Sequence, residues 1–170
     1  MKKLVTLFAL VFVVQLTYSQ TEIPKAQSIF IYNFTRLVEW PDAFKSGDFI
    51  IAVVGNSEVF NELESYMFGK KIGMQNITVK KFKEVSEIDK CHILFVSYNR
   101  SGNLQEIIKK TDPNPTLIIG ERKNIMNEGA GIGFVLNDDK LKFELNIPAA
   151  TRNGLKVNSK LQEMAVNVKK

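Results

Sequence analysis

The sequence predicts a single α/β domain with a largely parallel central sheet, flanking helices and an antiparallel C-terminal hairpin. Three observations carry that expectation. Phe49 to Val54, Ile93 to Val96 and Thr116 to Ile119 are short, continuous apolar runs rich in β-branched and aromatic residues, the pattern of strands covered on both faces. Helical periodicities separate them, as parallel crossovers require. From Gly131 onward the pattern changes to strict alternation on either side of a turn.

The chain has 170 residues, 45% of them hydrophobic, with 10 glycines and 5 prolines. That length suits one domain with a core of its own, and that composition excludes a disordered chain. One cysteine forbids an internal disulfide and a cysteine-rich zinc site, and one histidine argues against a multi-histidine metal centre.

Residues 1–19 read as a cleaved targeting peptide. Lys2 and Lys3 supply the positive start, Leu4 to Leu16 is almost unbroken apolar, and Thr17-Tyr18-Ser19 ends in a small residue before Gln20. The run falls short of the roughly 20 apolar residues of a transmembrane helix. A mature, exported domain of residues 20–170 is expected to follow. Cleavage removes two lysines and no acid from a net charge of +5, leaving an ordinary solubility charge. The remaining pairs, Lys70-Lys71, Lys80-Lys81 and Lys109-Lys110, are scattered among acids, so nucleic acid is not an expected partner.

The mature chain opens with a helix from Pro24 to about Val38, stopped by Trp40-Pro41. Ala26, Phe30, Asn33, Phe34 and Leu37 form one stripe, but Ile29, Ile31, Tyr32 and Val38 extend apolar character around the cylinder. Such a helix must be covered on more than one face, either by its own domain or in part by a partner chain. Ser57 is placed to cap a helix carrying Val59, Phe60, Leu63 and Met67. Ser101 or Asn103 precedes another with Leu104, Ile107 and Ile108. Ile77 to Phe82 alternates and reads as an edge strand. The hairpin joins Ile132–Leu136 through Asn137-Asp138-Asp139 to Leu141, Phe143 and Leu145. A final helix is expected from the capping box Ser159-x-x-Gln162, with Leu161, Met164, Ala165 and Val168 on its core side.

Cys91-His92 is the first candidate for a nucleophile and base. Consecutive strand residues point to opposite faces, so the two cannot form a dyad. Cys91 reads as a small core hydrophobe, and His92 as a hydrogen-bonded structural group or a ligand contact. Gly55-Asn56-Ser57 sits at a strand-to-helix junction able to bind an anion, but it lacks both the dinucleotide fingerprint and the P-loop lysine. Gly129-Ala130-Gly131-Ile132-Gly133 leads into a strand and reads as a turn or bulge. The first core strand ends Val53-Val54-Gly55, without the acids of a phospho-receiver. Paired carboxylates such as Asp138-Asp139 read as solvated surface. No catalytic, metal or cofactor set emerges, so an enzyme is not expected.

Five segments, taken in order, resemble the YfiR-like family. They are Phe34-Thr35-Arg36-Leu37-Val38-Glu39-Trp40-Pro41, Phe49 to Gly55, Cys91-His92-Ile93-Leu94-Phe95-Val96, Phe143-Glu144-Leu145-Asn146 and Gly154 to Leu161. The resemblance implies a non-enzymatic periplasmic regulator, typified by a repressor that binds the periplasmic part of an inner-membrane diguanylate cyclase. Through cyclic di-GMP signalling such a protein governs biofilm behaviour. It also implies a homodimer. Similar domains stand beside histidine kinases, which makes a small-molecule-binding sensor acting with such a receptor the alternative. YfiR-like proteins can carry disulfides, but Cys91 has no partner within this chain.

A binding role directs attention to Phe34, Leu37, Val38 and Trp40 as candidate partner-binding residues, tryptophan being a frequent interface hot spot. Trp40 could equally plug the bottom of the core. For the sensor alternative, a pocket is expected near the carboxyl ends of the parallel strands. Arg36, His92, Asn146 and Arg152 are the polar groups that would line it.

Overall fold

The computed structural model describes residues 22–170; the targeting peptide expected over 1–19 lies outside them. The first helix, α1 (Glu22–Leu37), begins slightly earlier than the sequence suggests and holds Pro24 in its first turn, where the missing N–H costs nothing. Its apolar breadth is answered within the domain, since it packs on α2 (Val59–Met67), on α5 (Ser159–Met164) and on strand β8 (Lys140–Asn146). Phe34 has no accessible surface. It meets Phe143 edge-on at 5.0 Å between ring centres and Phe134 at 6.1 Å.

Beyond α1 come β1 (Val38–Glu39), a 3-10 turn (Asp42–Phe44), β2 (Phe49–Val54), α2, β3 (Lys71–Ile72) and β4 (Gln75–Phe82). A second 3-10 turn (Val85–Glu87), β5 (Ile93–Val96), a third (Tyr98–Asn103), α3 (Leu104–Thr111), β6 (Leu117–Gly120) and β7 (Ile132–Asn137) follow. After β8 the chain adds α4 (Ile147–Ala150), a 3-10 turn (Arg152–Gly154), β9 (Lys156–Val157), α5 and β10 (Asn167–Lys169). The main sheet runs β3-β4-β2-β5-β6-β7-β8-β10. Strands β4, β2, β5, β6 and β7 are mutually parallel, and β8 turns back on β7 as the expected antiparallel hairpin. A separate antiparallel ribbon joins β1 to β9.

Alternation sorts the central strands onto two cores. Ile51, Val53, Ile93, Phe95, Leu117 and Ile119 face α1 and α2, whereas Ala52, Val54, Leu94, Val96 and Ile118 face Leu104 and Ile107 of α3 with Val85 and Ile88. This two-sided burial is why their sequences are continuously apolar.

One local expectation holds and three change. Strand β4 pairs with the two-residue β3 only at Gln75 and Asn76, so Ile77 to Phe82 is an edge as the alternation suggests. The hairpin turn is shorter than expected: Asn137 pairs with Lys140, and Asp138 and Asp139 alone turn the chain, with φ of 50° and 57°. Ser101 and Asn103 do not cap α3 with their side chains; the Ser101 hydroxyl donates to the carbonyl of Tyr98 inside the preceding turn. The C-terminal helix is also shorter. Its cap is Asn158, whose Oδ1 accepts the Lys160 N–H at 2.9 Å, and it stops at Met164 because Ala165 is extended. The open edge of β8 then captures the chain as β10, starting with the Val166 N–H bonded to the Phe143 carbonyl at 3.0 Å. Val168 thus packs from a strand, and Met164 is exposed.

Replacing Phe34 by Ala should cost about 3–5 kcal/mol of stability, because the aromatic cluster around it cannot collapse into the space. Phe68→Ala, at a side chain 89% exposed, should change stability by less than about 0.5 kcal/mol. Urea denaturation of both variants checks the contrast.

Candidate functional site

A groove of about 450 Å³ opens at the amino-terminal end of the sheet, beside the first residues of β2 and β4. Its walls come from the end of α1, from β1 and from the β3–β4 hairpin, and each sequence segment is there for a local reason. Pro41 ends the helix-to-strand passage, bringing Val38 and Trp40 inward while Arg36 and Glu39 stay in water. Gly73, at φ 57°, makes the tight turn that carries Met74 to the lip. Met74 is 93% exposed, and Ile72 lines the groove beside it.

The floor is apolar and fixed. Trp40 is 5% exposed; its indole N–H donates to the Pro115 carbonyl at 2.9 Å, and its ring meets Phe49 edge-on at 4.9 Å. Gln75 donates to the carbonyls of Phe44 and Ser46 at 3.1 and 3.4 Å, tying the chain after Trp40 to β4. The rim is charged. Lys45 bridges Glu39 at 3.3 Å and Asp42 at 2.8 Å, and this hydrogen-bonded lysine holds the Asp42 carboxyl below its usual range. Arg36 donates to the Tyr32 hydroxyl at 3.0 Å and covers its ring, while Lys70 lies over Tyr66 on the same aromatic pair. Apolar floor with polar rim is the anatomy of a recognition surface.

The groove brings together Arg36, Val38 and Trp40 of the residues singled out from sequence. Leu37 is half-buried and joins Arg36 in a separate depression of about 340 Å³ with Lys156, Val157 and Asn158. Phe34 lies in the core and reaches no surface. His92 sits one layer beneath the groove, stacked on Phe49 at 4.3 Å. Its Nδ1 accepts the Ile50 N–H at 3.0 Å, so Nε2 carries the proton and donates it to the Phe44 carbonyl at 2.9 Å. Asn146 is equally committed: its Oδ1 accepts the Ala149 N–H at 3.1 Å and its amide donates to the Met126 carbonyl at 2.9 Å. Arg152 lies in the 3-10 turn after α4, outside the groove. These polar residues do not converge at the carboxyl ends of the strands. His92 precedes β5, and Asn146 ends the reversed strand β8. Met74, Ile72, Gln75 and Lys45 complete the groove and were not singled out from sequence. The available signal was Gly73-Met74, a large apolar residue placed at a turn.

Cys91 and His92 precede β5 rather than lie in it: Cys91 belongs to the core facing α3, and His92 packs on Trp40 and Phe49 of the other core, so the two still form no dyad. Burial pushes the Cys91 thiol up to about 12, with a smaller opposing effect from the Thr116 hydroxyl. Burial pulls His92 below the usual imidazole value, against the Phe44 hydrogen bond and with a further push from Lys90. Among the described residues no group of three metal-ligating side chains converges, and no helix is long and apolar enough to cross a membrane.

Residues 24–166 match the family described as YfiR/HmsC-like. No curated protein matches the chain. Among solved structures it is similar to one described as the ABC domain in complex with L-Trp from Streptococcus pneumonia, at 10% identity and a TM-score of 0.51, over 70% of this chain and 54% of that one. The chain thus spans about half the length of that protein, and the likeness is one of fold.

The unfolded chain binds a proton on its histidine near pH 6.5, whereas the folded chain resists it. Stability should therefore be full above about pH 6.5 and fall as the pH drops through that value, levelling off below the depressed folded pKa. Urea midpoints at pH 7.5 and 5.0 check this, and the part due to His92 should vanish in His92→Gln. Cys91 should react with a thiol reagent at neutral pH only as fast as the fold opens, so labelling should become rapid in denaturing urea.

Proposed function

The chain belongs to the YfiR/HmsC-like family, and from that premise we propose that it is a periplasmic regulatory protein acting by contact with the periplasmic part of a membrane diguanylate cyclase. In this reading residues 1–19 are the export signal and residues 20–170 the working domain, which holds or releases the cyclase and so sets cyclic di-GMP output. The observation that carries it is the extent of the family match, which covers almost the whole described domain, groove included.

The geometry supports contact as the mode of action. Met74 and Phe68 are large apolar side chains left almost wholly in water on either side of β3. Beside Met74 lies the apolar floor of Val38, Trp40 and Phe49, ringed by Arg36, Glu39 and Lys45, whereas Phe68 lines a neighbouring depression. A partner segment that seats an apolar side chain against Trp40 gains the hydrophobic term, and the charged rim selects its orientation. Phe34 and Leu37 contribute by fixing the end of α1 rather than by touching the partner. Pairing of two copies through the exposed apolar positions fits the dimer that the family resemblance implies.

Capture of the periplasmic domain of a membrane diguanylate cyclase from the same organism tests the reading. The wild-type chain should retain that domain. Arg36→Glu combined with Met74→Asp should weaken retention by about tenfold or more at an unchanged melting temperature, as loss of a central contact does. Absence of capture by the wild type would overturn the partner. Undiminished capture by the double variant would overturn the groove.

A further inference from the structure

We propose a second, separate site at the opposite end of the sheet: a crevice between the ends of β2, β5 and β4 that takes a small molecule bearing a phosphate monoester or an equivalent dianion. The strand order supplies the first argument. Strand β2 leaves through α2 to β4 on one side, whereas β5 leaves through α3 to β6 on the other. The connections therefore part between β2 and β5, and open parallel sheets hold ligands beyond the carboxyl ends of the strands at such a reversal.

The loops at that point are built to leave a defined space. A cavity of about 390 Å³ lies among Gly55 and Asn56 after β2, Asn99 and Arg100 after β5, and the end of β4, within the range of small-molecule clefts. Gly55 has φ 91°, and a Cβ there would fall 2.2 Å from the Ser97 hydroxyl and 2.5 Å from Asn99 Oδ1. Glycine is required for the two loops to approach this closely. The approach is locked by the Asn56 N–H bonded to Asn99 Oδ1 at 3.2 Å and by the Ser97 hydroxyl bonded to the Val54 carbonyl at 2.7 Å.

Charge selects the ligand class. Lys81, Lys83 and Arg100 line the cavity against a single acid, Glu84. Arg100 is ion-paired to Glu84 and donates through Nε to the Lys83 carbonyl at 3.1 Å, which fixes its guanidinium on the wall. With that pair neutral, two lysine ammonium groups remain, one of them near the Phe60 ring at 5.5 Å, while the nearby Glu87 carboxylate is held by the Lys83 backbone N–H at 2.8 Å and does not line the cavity. Two cations beside a preset cleft match a dianion. The groove and this crevice share no lining residue, so the site stands independently of the partner reading.

Isothermal titration of the purified chain tests it, with inorganic phosphate, a nucleoside 5′-monophosphate, succinate and the uncharged nucleoside as probes. At least one dianion should bind with submillimolar Kd and the nucleoside should not. Lys81→Glu with Lys83→Glu should weaken that dianion by about tenfold or more without altering the melting temperature. Lys109→Glu with Lys110→Glu, at exposed positions on α3, should leave it unchanged. Phosphate binding as tightly as the nucleotide would identify the anion itself as the ligand, and tighter nucleotide binding would show that the cleft also holds the organic part. No dianion bound below about 10 mM, or equal loss in both double variants, would overturn the site.

Discussion

The structure depends on burying β2 from both sides. Ile51 and Val53 enter the core under α1 and α2, Ala52 and Val54 enter the one above α3, and all four have no accessible surface. A strand so covered has no wet face to fix its register, so register comes from backbone pairing with β4 and β5 along its length. Its two ends are then determined. Phe49 emerges under Trp40, and Gly55 emerges between the loops that follow β2 and β5. The groove and the crevice are both consequences of where this one strand stops.

Legibility in the sequence followed the strength of the local signal. The central strands were readable because two-sided burial leaves only apolar residues, and the hairpin because one-sided burial forces alternation. The last segment departs from its helical pattern for an equally physical reason. Leu161 and Val168 keep helical spacing, but a six-residue helix has little cooperative stability, and the open edge of β8 offers hydrogen bonds that Val166 to Lys169 satisfy better as a strand. The site was only partly legible. Trp40 and Arg36 stood out through composition and position, whereas Gln75 and Lys45 enter the groove through tertiary proximity across β4 and the 3-10 turn. No periodicity encodes that proximity. His92 and Asn146 drew attention as polar residues in apolar surroundings, and that signal reports hydrogen bonding of buried polar groups as readily as ligand binding.

Two groups that carry reactivity in other proteins are spent here on architecture. The thiol of Cys91 is buried among Leu94, Ala52 and Ile118, where its ionised form is strongly disfavoured. Both nitrogens of His92 are occupied by backbone partners from different segments, Ile50 on β2 and Phe44 on the turn after Trp40. The exposed side chains of the groove are of another kind: an arginine on a tyrosine ring, a lysine between two carboxylates, and an unpaired methionine at a turn. Exposed ion pairs of this sort add little to stability, while solvent exposure leaves them free to reorganise around a bound chain.

The two ends of β2 are about 17 Å apart at the rise of an extended strand. A close-packed strand cannot deform continuously to carry a signal over that distance. Adjustment at the groove must therefore reside in the segments that overlie it, and the segment from Asp42 to Ser46 is held mainly from beneath. The Phe44 carbonyl accepts from both His92 and Gln75, and Ser46 accepts from Gln75 again. Protonation of His92 would keep the Phe44 bond but turn Nδ1 from acceptor into donor, opposing the Ile50 N–H directly behind Phe49. Burial opposes that protonation, as does Lys90 over the Phe44 ring, so the imidazole stacked on Phe49 keeps its two backbone partners in place. The sheet supplies a rigid frame, and the short turn that overlies the groove hangs on it through one imidazole and one carboxamide.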